Sequence, residues 1–220
     1  MLNKLIFFDF DSTFISVETI DEIATLALAH DQNKEQKIKE ITDITNEAMT
    51  GKFDFSVALQ KRLKLLSPTK EHIKEVTQKI MNLVSPSFTR NQEKLKQISD
   101  NIRILSGGFT DVIAPIVEPF GIPREHIYAN SFIYDNDIVI GCDTENYLTQ
   151  TEGKVKQLKA LNLNQKIIIV GDGYTDYEVS KYGISDTFIC YTENIERESV
   201  IKRSKHIANS LEQVFEILNI

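Results

Sequence analysis

Leu5-Ile6-Phe7-Phe8-Asp9-Phe10-Asp11-Ser12-Thr13 begins as an apolar run and ends in two carboxylates two residues apart. Four consecutive large apolar side chains without polar alternation predict a strand buried on both faces, as in a parallel sheet. Asp9 and Asp11 then fall at the C-terminal end of that strand, where open α/β sheets bind their ligands. Two carboxylates there can hold a hard divalent cation and leave one oxygen free to attack, which points to phosphoryl chemistry. An isolated Asp-x-Asp is also what a solvated turn shows, so the rest of the chain has to carry the reading.

Three further short apolar runs, Ile102–Leu105, Lys166–Val170 and Thr187–Cys190, predict buried parallel strands. Helical patterns alternate with them at Phe88–Ser99, Lys154–Leu161 and Tyr174–Tyr182. This alternation predicts an α/β fold with a doubly wound, Rossmann-like parallel sheet. Ser131–Cys142, with Asp135-Asn136-Asp137 at its centre, predicts a β-hairpin. Asp111–Phe120 has helical spacing but contains Pro115, which predicts a kink or a shortened first segment.

Residues 15–84 carry helical patterns and no strand pattern. Ile20, Ile23, Ala24, Ala27 and Leu28 share one face, as do Ile73, Val76, Ile80 and Leu83. Ser67-Pro68 has the form of an N-cap followed by proline at the first helical position, and Ser85-Pro86-Ser87 reads as a linker. The expected organisation is therefore a core of residues 1–14 and 85–220 interrupted by a helical insert at 15–84.

The chain has 220 residues and a formal net charge of −7, which argues against nucleic acid or an acidic membrane as partner. No apolar run is long enough for a membrane span and no signal-peptide pattern is present, so a cytoplasmic protein is expected. Cys142 and Cys190 have no Cys-x-x-Cys spacing and read as free thiols, and the four histidines lie in no metal-ligand spacing. A monomer or homodimer acting on a small molecule fits these numbers.

A second acidic pair, Asp172 and Asp176, follows the Lys166–Val170 strand in Gly171-Asp172-Gly173-Tyr174-Thr175-Asp176. Four carboxylates at adjacent strand ends repel one another unless a cation sits among them, and Mg²⁺ suits an all-oxygen set. Ser106-Gly107-Gly108, directly after the Ile102 strand, offers a hydroxyl and backbone N–H groups as a phosphate cradle. Lys154 could supply the positive charge that a phosphate and an aspartate nucleophile both need. In the insert, Phe55, Leu59, Arg62, Leu63 and Leu66 share a helical face. An arginine within an apolar stripe either snorkels to water or meets an anion. Arg62 on an α-carboxylate and Glu18 on an α-ammonium would clamp a zwitterion.

The ordered set Asp-x-Asp-Ser-Thr, Ser-Gly-Gly, Lys and Gly-Asp-Gly-x-x-Asp resembles the four motifs of the haloacid dehalogenase-like (HAD) phosphatase superfamily over nearly the whole chain. The resemblance implies a Rossmann-like core, a helical C1-type cap after the first strand, Mg²⁺ dependence and an aspartyl-phosphate intermediate. It implies Asp9 as nucleophile and metal ligand, and Asp11 as general acid/base and metal ligand through its backbone carbonyl. Ser106, Gly107 and Lys154 would bind phosphate, Asp172 would ligate the metal, and Asp176 would support the metal shell.

Within that superfamily the chain resembles the phosphoserine phosphatases. Glu18 lies nine positions after Asp9, while Phe55 and Arg62 lie six and thirteen after Met49. This implies that Met49 and Phe55 cover the apolar part of the substrate, and that the activity is hydrolysis of O-phospho-L-serine in serine biosynthesis. Two features depart from the pattern: the acidic segment Tyr191–Val200, and Tyr174 at a position usually small. Alternatives are a phosphoserine-dependent phosphotransferase, a phosphatase for another small phosphomonoester, or a non-enzymatic phospho-acceptor module.

Overall fold

The computed structural model describes residues 3–50, 52 and 55–220, apart from the side chains of residues 49, 55 and 56. The opening apolar run forms β1 (Lys4–Phe8). Ile6 and Phe8 enter one core cluster and Leu5 and Phe7 another on the opposite face, as an interior parallel strand requires. Beyond β1 come α1 (Thr19–Ala27), α2 (Lys34–Met49), α3 (Phe55–Leu65), α4 (Lys70–Ile80), α5 (Pro86–Arg90), α6 (Gln92–Gln97), β2 (Ile102–Phe109), α7 (Thr110–Val117), β3 (Ile127–Asn130), β4 (Phe132–Asp135) and β5 (Ile138–Cys142). The chain ends with α8 (Gly153–Leu161), β6 (Lys166–Gly171), α9 (Tyr174–Lys181), β7 (Thr187–Tyr191), α10 (Glu198–Ile201), β8 (His206–Ala208) and α11 (Leu211–Leu218).

Six strands form one sheet in the order β3-β2-β1-β6-β7-β8, every pair parallel. Helices α5, α6, α7 and α11 cover one face, and α8, α9 and α10 the other. The fold is thus the predicted Rossmann-like, doubly wound α/β sheet. Its decisive feature is the place of β1 between β2 and β6. Register pairs Phe8 with Ile104 and with Val170, so Asp9, the residue that follows, leaves the sheet beside the end of β6 while β2 runs on past it. Below that point Phe88 packs against Phe8, Phe14 and Tyr191 with ring centroids 5.2, 4.5 and 5.9 Å apart.

Several local expectations change. The predicted helix at Phe88–Ser99 is two shorter ones, α5 and α6, separated at Asn91, whose side chain donates to Ser87 O at 2.8 Å. The two Ser-Pro pairs exchange roles. Pro86 opens α5, whereas Ser67-Pro68 is not a helix start. Pro68 O instead accepts from Val139 N at 2.9 Å, and Thr69 caps α4 in a reciprocal exchange with His72. The hairpin β4–β5 captures this backbone before a helix can begin. Pro115 lies inside α7, which stops two residues later and ends through a tight turn to left-handed Gly121. Strands β3 and β8, only four and three residues long, carry no distinct sequence signal.

Helices α1 to α4 leave the sheet after β1 and return beside it. Ser16 N donates to Leu83 O at 2.9 Å and Ser85 N to Phe14 O at 3.0 Å, so the outgoing and returning chains are paired where they meet the sheet. Lys70 N bonds Asp137 O at 2.8 Å, which ties the start of α4 to the hairpin tip. Among the described residues no helix is long and apolar enough to cross a membrane. Cys142 and Cys190 are buried free thiols.

Candidate active site

Asp9 continues the β1 ladder by donating its N–H to Val170 O at 2.9 Å, and is then turned out of the sheet. Its Oδ1 accepts from Phe10 N at 2.7 Å, while Oδ2 meets Lys154 Nζ at 2.7 Å. The turn that follows is compact because Ser12 adopts a left-handed conformation (φ 53°), and Ile15 N closes it on Phe10 O at 3.1 Å. That geometry lets Thr13 Oγ1 donate to Asp172 Oδ1 at 3.1 Å and Ser12 Oγ to Glu18 Oε1 at 2.7 Å.

Asp11 is tied to the N-terminus of α1. Its Oδ1 accepts from Thr19 N at 3.0 Å and from the Thr19 hydroxyl. Burial pushes its pKa up to about 7, the Asp9 charge adds to that, and the Thr19 bonds oppose it. A carboxyl in this range can give and take a proton near neutrality.

Asp172 and Asp176 follow β6. Asp176 Oδ1 pairs with Lys154 Nζ at 2.6 Å and Oδ2 accepts from Gly173 N at 3.1 Å. Carboxylate oxygens of Asp9, Asp172 and Asp176 all lie within 4.8 Å of one another, and all three residues are buried. Burial raises the pKa of both Asp172 and Asp176, with neighbouring carboxylates adding to the effect and Arg197 or Lys154 opposing it. An all-oxygen, buried, mutually repelling set of this kind fits a hard divalent ion such as Mg²⁺. The Asp11 carboxylate is outside that cluster. A Cβ on Gly171 would lie 2.3 Å from Asp176 Cγ, so only glycine leaves room for this carboxylate.

Lys154 is the second residue of α8 and is 6% exposed. Burial works against its charge, but Asp176 and Asp9 outweigh it and hold its pKa above the ordinary lysine value. Ser106, Gly107 and Gly108 do not follow the Ile102 strand, as expected, but lie inside it, because β2 runs to Phe109 with its register against β3 shifting between Leu105 and Phe109. The peptide between Gly107 and Gly108 is fixed at both ends: Gly108 N donates to Ser106 Oγ at 3.0 Å, and Gly107 O accepts from Asn130 Nδ2 at 2.9 Å.

Glu18 and Arg62 close the other side. Arg62 is 3% exposed, so the snorkelling alternative does not hold. Its Nη1 donates to Thr45 Oγ1 at 3.0 Å and its Nε to Ala58 O at 3.3 Å. Burial lowers the Arg62 pKa, against the charges of Glu18, Asp21 and Asp11. Glu18 is pushed up to about 8 by burial and by the Asp11 and Asp172 charges, with Arg197 opposing. Asp9, Asp11, Glu18, Arg62, Ser106, Gly107 and Lys154 line one pocket with ≈ 460 Å³ of atom-free space, counting its open mouth. Asp172 and Asp176 stand behind this lining, their carboxylate oxygens within 4.8 Å of that of Asp9, and Asp176 is bonded to Lys154. The side chains of Met49 and Phe55, expected to join them, lie outside the described residues.

Two residues of the acidic segment after β7 were not singled out from the sequence. Asn194 Nδ2 reaches Ser12 O, Thr13 O, Ile15 O and Ser85 Oγ at 3.2, 3.3, 3.2 and 2.7 Å, bracing the turn that carries Asp11. Arg197 joins Asp172 to Glu18. No local spacing marks either residue, because their partners lie far away in the chain.

A family model for haloacid dehalogenase-like hydrolases matches residues 6–181. The chain belongs to this family. It is 32% identical over 216 residues to the chloroplastic phosphoserine phosphatase of Arabidopsis thaliana, covering 96% of this chain and 70% of that one. A phosphoserine phosphohydrolase-like protein from Francisella tularensis is 35% identical, with a TM-score of 0.88 over 98% of this chain and 99% of the other. The structure of a phospho-aspartyl intermediate analogue of phosphoserine phosphatase is 26% identical, with a TM-score of 0.78 over 99% of both chains. The haloacid dehalogenase-like hydrolase described here is a phosphoric monoester hydrolase resembling phosphoserine phosphatase.

Proposed function

We propose that this hydrolase converts O-phospho-L-serine and water to L-serine and phosphate, through an aspartyl-phosphate on Asp9 and with Mg²⁺ as cofactor. The carrying observation is that buried Arg62 and partly buried Glu18 face the same pocket as Asp9, offering a basic and an acidic group to the two ends of an amino acid. The relatives named as phosphoserine phosphatases support the same substrate.

Asp9 would attack phosphorus while Asp11 gives its proton to the serine oxygen as the phosphorus–oxygen bond breaks. Asp11, now ionised, would take a proton from the water that attacks the aspartyl-phosphate, and phosphate leaves as Asp9 is regenerated. Lys154 holds Asp9 in place and supplies positive charge beside the transferring group, while Ser106 and Gly107 hold its oxygens. Mg²⁺ would be held by the Asp9 and Asp172 carboxylates and the Asp11 backbone carbonyl, with Asp176 supporting the shell; when bound it offsets charge on the phosphoryl oxygens. In this reading residues 15–84 act as a cap over a core of 1–14 and 85–220, and the substrate is the only partner required.

A panel of phosphomonoesters assayed with Mg²⁺ tests the proposal. Phosphoserine should show the highest kcat/KM, with stoichiometric release of phosphate. A better substrate without an amino-acid end, or transfer of phosphate to an added alcohol in place of release, would overturn it.

A further inference from the structure

Arg197 is 6% exposed and belongs to none of the four sequence motifs. It immediately precedes α10, in the segment that returns across the strand ends. Its Nε donates to Asp172 Oδ2 at 2.8 Å and its Nη2 to Glu18 Oε1 at 3.2 Å. One guanidinium thus spans a carboxylate of the acidic cluster and a carboxylate of the substrate pocket. The same Glu18 Oε1 also accepts from Ser12 Oγ at 2.7 Å. Both donors converge on one oxygen, so Oε2 of this pocket-lining residue has no protein donor among the described residues. When ionised, Glu18 and Asp172 carry like charges, and without a shared cation between them each would turn away from the other. Lys154 bridges Asp9 and Asp176 through a single nitrogen, whereas Arg197 meets Asp172 and Glu18 through two separate nitrogens, Nε and Nη2, a spacing that the fork of arginine supplies and a point-like ammonium does not.

We propose that Arg197 is a positioning residue for substrate selectivity: by holding Glu18 Oε1 and Asp172 Oδ2 on one guanidinium, it leaves Glu18 Oε2 directed at the α-ammonium of the substrate. The proposal rests on the reading of Glu18 as the ammonium receptor. It assigns the acidic segment after β7, a departure from the family pattern, a part in choosing the substrate. Asn194 and Arg197 then divide the work, since Asn194 braces the turn below while Arg197 sets the carboxylate above.

The test compares phosphoserine with 3-phosphoglycerate, which carries a hydroxyl in place of the ammonium. The measured quantity is the ratio of their kcat/KM values, which general damage to the enzyme leaves unchanged. Wild type should favour phosphoserine. Arg197→Gln should lower the ratio by about tenfold or more, the scale of a hydrogen bond to a charged group. Glu18→Gln should lower it likewise, and combining the two should lower it no further, as residues acting through one contact do. Arg197→Lys, which keeps the charge but not the fork, should also fall short of the wild-type ratio, and it carries the test if the glutamine variant does not fold. A wild-type ratio in Arg197→Lys, equal losses on both substrates in Arg197→Gln, or additive losses in the double variant would overturn the proposal. A wild-type enzyme with no preference between the two substrates would instead remove the ammonium reading of Glu18, and this proposal with it.

Discussion

At the strand ends, Asp9, Asp172 and Asp176 are each held by two donors from the core or its loops. Across the same pocket, Arg62 is held by Thr45 and Ala58, from the helices inserted after β1. The first group is fixed by parallel-sheet register, which cannot slip without turning a buried strand over. The second depends on how α1, α2 and α3 pack and on where the hairpin β4–β5 holds the start of α4. A firmly bonded acidic end beside a separately seated arginine suits a reaction whose chemistry is constant and whose substrate must be chosen. Damage to the first end should therefore appear in turnover and damage to the second in substrate binding.

The largest effect is expected from Asp9→Asn, which removes the proposed nucleophile at almost unchanged side-chain volume. Turnover should drop by at least about a thousandfold in a phosphate-release assay. Gly171→Ala comes next. The added Cβ would meet Asp176 Cγ at 2.3 Å, so the carboxylate must move. Mg²⁺ affinity measured by calorimetry and kcat should both fall by about 10- to 100-fold, since this carboxylate also holds Lys154. Normal Mg²⁺ binding in that variant would break the contrast at its acidic end.

Arg62→Ala should act differently. The KM for phosphoserine should rise by about 10- to 100-fold while the kcat for p-nitrophenyl phosphate changes little, because the charge-assisted contact is made only by an amino-acid substrate. A kcat loss on both substrates would mean that Arg62 supports the strand ends as well.

The smallest effect concerns pH and the metal-free protein. Glu18 has its pKa raised from 4.5 to about 8 by burial, so the folded chain holds this proton more tightly than the unfolded chain. The resulting stability is complete below 4.5 and is lost progressively as pH rises to about 8, since only the unfolded state gains freely from ionisation. The melting midpoint in chelator should fall across that window, and Glu18→Gln should flatten the slope. An unchanged slope would show that Arg197 and Ser12 already offset the burial of Glu18.

Much of the site was legible from local order. The apolar run before Asp9 and the glycines around Asp172 each mark a strand end by the residues beside them. The helical spacing of Leu59, Arg62 and Leu66 placed an arginine on an apolar face, and all three are buried. Arg197 and Asn130 carry no such mark. Asn130 matters because it faces Gly107, and Arg197 because it reaches Asp172 and Glu18, residues distant in sequence. The exchange of roles between the two Ser-Pro pairs has a similar origin, since the partner that captures Pro68 is Val139, on the hairpin.

Hydrophobic periodicity and turn chemistry act over a few residues, so the sequence by itself determined the alternation of strands and helices, the helical insertion after β1 and the chemical groups at each strand end. Strand order and long-range pairing act over the whole chain. They alone decided that β1 lies between β2 and β6, that Asp9, Asp172 and Asp176 share one cluster, and that Arg197 bridges it to Glu18. Burial of like charges becomes tolerable only when a distant residue supplies the opposite charge, and chain folding is what brings that residue there.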